Sequence, residues 1–157
     1  MRHVLMGLGV VGLLAATSSG QTAPAAGEAN KFSIENCVNV FDRSKAVPTE
    51  VGYQYWFVDR DFLDGRTLKL SVVAPHAATH APHSHVEDEI FFVLEGTAEF
   101  FLDGKTKVAG PDSSFYCPSN VHHGIRNVGD TELKYLVIKK YQGPVPTAAP
   151  AVLPPAK

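Results

Sequence analysis

Six of the seven histidines lie between positions 76 and 123, and the tightest group stands in the run Pro82-His83-Ser84-His85-Val86-Glu87-Asp88-Glu89. On an extended chain, side chains i and i+2 leave the same face. His83 and His85 can therefore aim two imidazoles at one point. Glu89 has the same parity and adds a carboxylate from the following strand or its turn; Glu87 shares that parity and Asp88 does not. Imidazole plus carboxylate suits one borderline divalent ion: Fe, Mn, Ni, Cu or Zn. A further ligand must come from elsewhere, and Val121-His122-His123-Gly124-Ile125-Arg126-Asn127 offers two histidines. Ser119, Val121, Ile125 and Asn127 would share a mostly apolar face with His123. Parity thus tilts the choice toward His123 and leaves His122 with Arg126 on the other side.

Such a site needs a rigid frame, and the chain from 31 to 142 reads as strands. Tyr53-Gln54-Tyr55-Trp56-Phe57-Val58 is aromatic and β-branched, 68–73 alternates and then runs apolar, and 90–94 is a continuous apolar run. Segments 97–102, 105–108, 113–117, 123–128 and 133–141 complete the set. Asp103-Gly104 between two strand-like runs is a strong hairpin signal, and Gly129-Asp130 marks another turn. A short helix is expected around 36–44; no long capped amphipathic helix is visible. Many short strands punctuated by Gly and Pro argue an all-β sandwich or barrel. Ile90-Phe91-Phe92-Val93-Leu94 is apolar on both faces, so both should be covered. One face would be the barrel interior and the other a second sheet or a partner subunit, from which we expect a homodimer.

The two histidine segments resemble the paired sequence motifs of the cupin family. In the first motif a His-x-His pair is followed after three residues by Glu and after six more by Gly, and His83, His85, Glu89 and Gly96 fit that spacing without a gap. In the second, Pro118, His123 and Asn127 fit. Asn120 replaces a Gly, which Asn can do because it also tolerates a left-handed turn. Asp112 stands where the motif opens on Gly, and Ala77 where a Gly precedes the first histidine. The resemblance covers about 68–139. It implies a jelly-roll-like double-stranded β-helix barrel holding one divalent metal ion on His83, His85, Glu89 and His123. Three histidines and one carboxylate leave coordination positions open, as catalysis requires. Phe91, Val93, Phe115 and Ile125 are expected to line the pocket as core residues.

The flanks read differently. A short basic start, an apolar run from Val4 to Ala16 and small residues after it make 1–20 a secretory signal peptide. That run is too short for a good transmembrane helix, so no stable membrane anchor is expected once it is cut. Residues 21–30 read as a flexible leader, 31–142 as the barrel domain and 143–157 as a Pro/Ala-rich tail. Export would place the protein in a periplasm or outside the cell. There Cys37 and Cys117 could pair, while two separate buried thiols is the other reading.

The apolar fraction of 45% permits a real core, and the formal net charge of −2 carries no basic stripe, so nucleic acid is not expected as a partner. The partner expected is a small molecule. The resemblance implies a metal-dependent enzyme on a small oxygen-rich compound, with a quercetinase-like dioxygenase first. Glu89, the ligand that exchanges protons most easily, would be the catalytic base. An isomerase, hydratase or lyase for carbohydrate-derived acids and a non-catalytic ligand- or metal-binding module stand beside it.

Overall fold

A computed structural model describes residues 32–142. The signal peptide, most of the leader and the Pro/Ala-rich tail lie outside the described residues. The chain divides into two compact units after Cys37. In the first, the described residues carry a four-residue helix, α1 (Ile34–Cys37), closed by a bond from the Cys37 N–H to the Ser33 carbonyl. In the second, a single 3-10 turn (Arg43–Lys45) follows, its Asp42 cap accepting from the Ser44 N–H at 3.0 Å. The helix expected over 36–44 is thus replaced by two separate short turns.

The described residues of the second unit otherwise form nine strands: β1 (Val47–Thr49), β2 (Gly52–Leu63), β3 (Arg66–Val73), β4 (Glu89–Glu95), β5 (Ala98–Leu102), β6 (Lys105–Ala109), β7 (Ser114–Cys117), β8 (His123–Asn127) and β9 (Leu133–Lys140). They form two antiparallel sheets, one in the order β1-β2-β3-β9-β4-β7 and one in the order β6-β5-β8. The core draws on both: Phe91 and Val93 from β4, Leu133, Tyr135 and Val137 from β9, Phe100 from β5 and Ile125 from β8. The sheets therefore face each other as the two halves of a barrel.

Local chemistry fixes the turns. Asp103 (φ 45°) and Gly104 (φ 80°) both take the left-handed conformation between β5 and β6, as the twist-matched two-residue hairpin requires. At Gly96 (φ 86°) a Cβ would run into the backbone of Glu132 and Leu133, so the β4–β5 corner admits only glycine. Asn127 is the polar pin of the frame. Its buried amide donates to the carbonyls of Val73, Ala74 and Thr131 at 2.7–3.0 Å and its Oδ1 accepts from the Gly129 N–H at 2.9 Å. One side chain thereby ties the end of β3 to the β8–β9 turn.

The faces of the large sheet divide unexpectedly. Leu68, Leu70 and Val72 alternate with Thr67, Lys69 and Ser71 along β3, and the cavity takes Thr67 and Lys69. Leu70 pairs with Tyr55, whose ring meets Phe41 edge-on at 4.9 Å and whose hydroxyl donates to the Val40 carbonyl at 3.0 Å. The apolar face of β3 is thus turned outward, and residues 40–41 cover part of it.

Candidate metal centre

The first histidine pair does not sit on a regular strand. Only His83 pairs, in an isolated antiparallel bridge with His123, each N–H donating to the other's carbonyl at 2.9 Å. This bridge fastens the 74–88 connection to the start of β8 and sets His83 beside His123. His85 follows in the loop, and Glu89 opens β4. The segment that carries Asn120 holds the other side: its N–H donates to the His85 carbonyl at 2.8 Å. Asn120 (φ 60°) and Asp112 (φ 61°) are both left-handed. Two of the three non-glycine residues at motif glycine positions therefore adopt the glycine-type backbone, and Ala77 does not.

The three rings converge, with centroid separations of 4.8–5.3 Å among His83, His85 and His123. Each turns its Nδ1 to a backbone carbonyl two residues away: His83 to Ala81 at 3.3 Å, His85 to Glu87 at 2.7 Å and His123 to Val121 at 2.7 Å. A carbonyl only accepts, so each Nδ1 carries the hydrogen and each neutral ring presents its Nε2 lone pair to the site. Nε2 of His123 lies 3.0 Å, and Nε2 of His85 3.5 Å, from the same Glu89 oxygen. With His123 and Glu89 both buried, their 3.0 Å contact calls for a positive charge between them, a shared proton or a shared cation. Ligands of a first-row ion at about 2.0–2.1 Å sit roughly 3 Å apart, so the spacing fits one shared cation. The donor set therefore fits a divalent metal held by His83, His85, Glu89 and His123, with the carbonyl bonds orienting each ring. Burial and the neighbouring imidazoles push the His83 pKa below the usual histidine value, which favours the ligating form.

Other expected site residues divide. Phe91 and Ile125 line the cavity with His83, His85 and Glu89, while His123 is fully buried behind them. Val93 does not: it is fully buried in the core. Phe115 packs against that core, 4.7 Å from Phe100 ring to ring. His122 turns away from the donors and meets Phe101 at 5.4 Å. Cys37 is an exposed free thiol and Cys117 a buried one. Cys117 pairs in register with Glu89 across β4 and β7, and its sulfur lies within 4.8 Å of Glu89 and His123 donor atoms. Burial, with Glu89 adding to it, pushes that thiol up to about 12, so it stays neutral and inert at ordinary pH.

Sequence reasoning missed two lysines. Lys139 sits opposite Glu89 in the β9–β4 register and opposite Thr67 in the β3–β9 register. Its Nζ donates to His85 Nε2 at 2.9 Å and lies 3.8 Å from Glu89 Oε2 and 3.9 Å from Glu87 Oε2. Lys69 lines the same cavity, its Nζ 5.2 Å from the centre of the Trp56 ring. The available signal was parity: Thr67, Lys69, Ser71 and Lys139 all share the inward face that Glu89 occupies.

Comparison with known proteins agrees with this geometry. The cupin domain family model matches residues 69–139. The polyketide synthase CurC of Streptomyces cyaneus is 32% identical over 91 residues, covering 54% of this chain and 59% of that protein. The H2HPP isomerase of Bacillus subtilis is 36% identical over 72 residues, covering 45% of this chain and 30% of that protein. The chain thus spans less than two thirds of the length of either curated relative. Among solved structures, a predicted oxalate decarboxylase from Thermotoga maritima superposes with a TM-score of 0.58 at 20% identity, over 66% of this chain and 99% of that one. That likeness shows the barrel fold. Paired histidine motifs, facing antiparallel sheets and the family match together make this chain a member of the cupin superfamily.

Proposed function

We propose that the cavity is the active site of a divalent-metal enzyme that isomerises or cleaves a small oxygen-rich compound by Lewis-acid chemistry. The observation that carries this reading is the meeting of His123 Nε2 and Glu89 Oε1 at 3.0 Å, beside two further Nε2 lone pairs. A bound divalent ion would polarise a carbonyl or carboxylate oxygen of the substrate. Glu89 shares one of its oxygens between two imidazole contacts and its other oxygen faces Lys139 at 3.8 Å. It is the group placed to take a proton from a carbon beside the polarised oxygen. Phe91 and Ile125 supply apolar wall and limit water in the cavity.

Size separates this reading from the flavonol one. The cavity holds about 190 Å³, below the roughly 300–1,000 Å³ of sites for drug-sized ligands. A flavonol exceeds it and a short acid does not. The curated relatives are named as a polyketide synthase and an isomerase, which agrees with carbonyl chemistry. Export, read from residues 1–20, is a proposal of the same standing.

Elemental analysis of natively purified protein, followed by assays of the zinc-loaded form without oxygen, tests the reading. One metal per chain and anaerobic turnover of a small keto or hydroxy acid are expected. Turnover only with a redox metal and dioxygen would return the dioxygenase; binding without turnover would leave a ligand-binding module.

A further inference from the structure

We infer that the substrate is an anion: Lys69, with Trp56 beside it, forms a carboxylate subsite on the wall of the metal cavity, so the compound handled is a small oxo or hydroxy acid. The inference rests on the metal-enzyme reading above and adds what the far end of the substrate must be.

Lys69 and Lys139 occupy neighbouring strands on the same inward face, two residue pairs apart along the ladder: Lys69 faces Val137 and Thr67 faces Lys139. Such diagonal side chains lie within reach of a common small ligand. Their surroundings differ. Lys139 is engaged by His85, Glu87 and Glu89. Glu89, the carboxylate in the cavity lining, and Glu87 beside it are thereby committed to the centre, Glu89 also to His85 and His123 and Glu87 also to His85. The Lys69 ammonium, among the described residues, has no carboxylate in ion-pair contact and no hydrogen bond, and the Trp56 ring face lies 5.2 Å from it. Burial pulls its pKa down, Glu89 opposing and Lys139 adding to the effect.

An ammonium withdrawn from water without a partner is costly, and natural cores rarely keep one. Here it lines the cavity that holds the metal donors. A carboxylate entering with the substrate would supply the missing partner, while its neighbouring oxygen reaches the donor cluster. An uncharged sugar or phenol would leave Lys69 unpaired. The Trp56 ring closes one side of this subsite, and Arg60 stacked on Tyr141 at 4.0 Å adds a further cation near the cavity.

Trp56 is the single tryptophan of the chain, so its fluorescence reports on the subsite directly. Zinc-loaded and metal-free protein are each titrated with pyruvate and with its uncharged isostere pyruvamide. Pyruvate should give a saturable change in both forms, at a concentration about tenfold or more below that of pyruvamide, a difference of about 1.4 kcal/mol. In Lys69→Met that preference should vanish, while zinc stoichiometry stays that of the parent. Thermal melting controls for folding: removing an unpaired, half-buried charge should leave the midpoint of metal-free Lys69→Met unchanged or raised. Equal responses to acid and amide, no response to pyruvate, or an undiminished preference in Lys69→Met overturns the subsite. Failure to bind zinc defeats the metal reading alone, because the acid preference is read in the metal-free form as well.

Discussion

Nζ of Lys139 donates a 2.9 Å hydrogen bond to Nε2 of His85, the same lone pair that faces Glu89 at 3.5 Å and that a metal ion would claim. The ammonium and the ion therefore compete for one acceptor. Two unit charges at about 4 Å repel by about 4 kcal/mol at an effective dielectric of 20, and relaxation of the long lysine stem removes much of that. Lys139→Met should bind zinc about tenfold more tightly, a gain of about 1.4 kcal/mol, in competition with a chromophoric chelator. Unaltered or weaker affinity would show that the ammonium swings clear when the ion enters.

His83 and His123 give the same donor atom from different surroundings. His123 is fully buried, hydrogen-bonded at both ring nitrogens, whereas His83 is only partly buried. His83→Ala and His123→Ala should each lower zinc occupancy to well under one per chain. Only His123→Ala should also destabilise the metal-free fold, by about 2–4 kcal/mol, since it opens a cavity and strips Glu89 of a partner. Urea unfolding of both metal-free variants reads the difference. Equal losses would contradict the division between a structural and a purely ligating histidine.

The frame was far more legible than the wall of the site. The strands from residue 66 onward fall within a residue or two of the runs read from composition and turn residues, and Asp103-Gly104 forms the hairpin that its residue types demand. The four candidate donors were legible because the cupin motif is a spacing, present here at His83, His85, Glu89 and His123. Parity alone would have misjudged the geometry, since His83 and His85 lie in a loop with a single bridge. Lys69 and Lys139 were hidden for a physical reason: alternation tells which residues share a face, not which face is the interior. On β3 the aliphatic face looks outward, and the polar one lines the cavity. The three-residue β1 carries too few side chains to show a period.

Cys117 gives a pH test whose sign follows from its environment. Its thiol is pushed up to about 12 from an ordinary value near 9, so the fold prefers the neutral form. The stabilisation is complete below about pH 9 and is lost as pH rises from there toward 12. Stability of Cys117→Ala should therefore fall less steeply than the parent's across that window, in urea unfolding at stepped pH. In native protein at about pH 8, iodoacetamide should modify Cys37 and spare Cys117, and denaturant should expose both. Mass spectrometry counts the labels; a chain that resists labelling at both positions after unfolding would contain the disulfide that the free thiols argue against.

Leu68, Ile138, Ile90 and Tyr116 face one another in register across β3, β9, β4 and β7 on the outer side of the large sheet, with Ile138, Ile90 and Tyr116 between 39% and 54% exposed. This row answers the reading of 90–94 as a strand apolar on both faces, and its outer half has no cover among the described residues. We propose that a second copy supplies it. Light scattering should give a dimer mass, and Ile90→Lys with Ile138→Lys should give a monomer with its zinc stoichiometry intact, since neither side chain faces the cavity. A parent that is monomeric at tens of micromolar would remove the homodimer.

Asp112 and Asn120 hold left-handed backbone at φ 61° and 60°, where a non-glycine residue carries a strain of about 1–2 kcal/mol. Asn bears this better than most, and Asn120 offsets part of it through a 2.9 Å bond from its amide to Ser119 Oγ. Asp112 has no comparable side-chain bond among the described residues. Asp112→Gly should therefore stabilise the fold by about 0.5–1 kcal/mol and Asn120→Gly by less, with zinc stoichiometry unchanged in both. Asn120→Val, a β-branched residue forced into the same conformation, should destabilise and weaken metal binding together, because the Asn120 N–H holds the carbonyl of His85. Zinc affinity in Asn120→Val equal to that of the parent would show that the loop does not set the position of the imidazole.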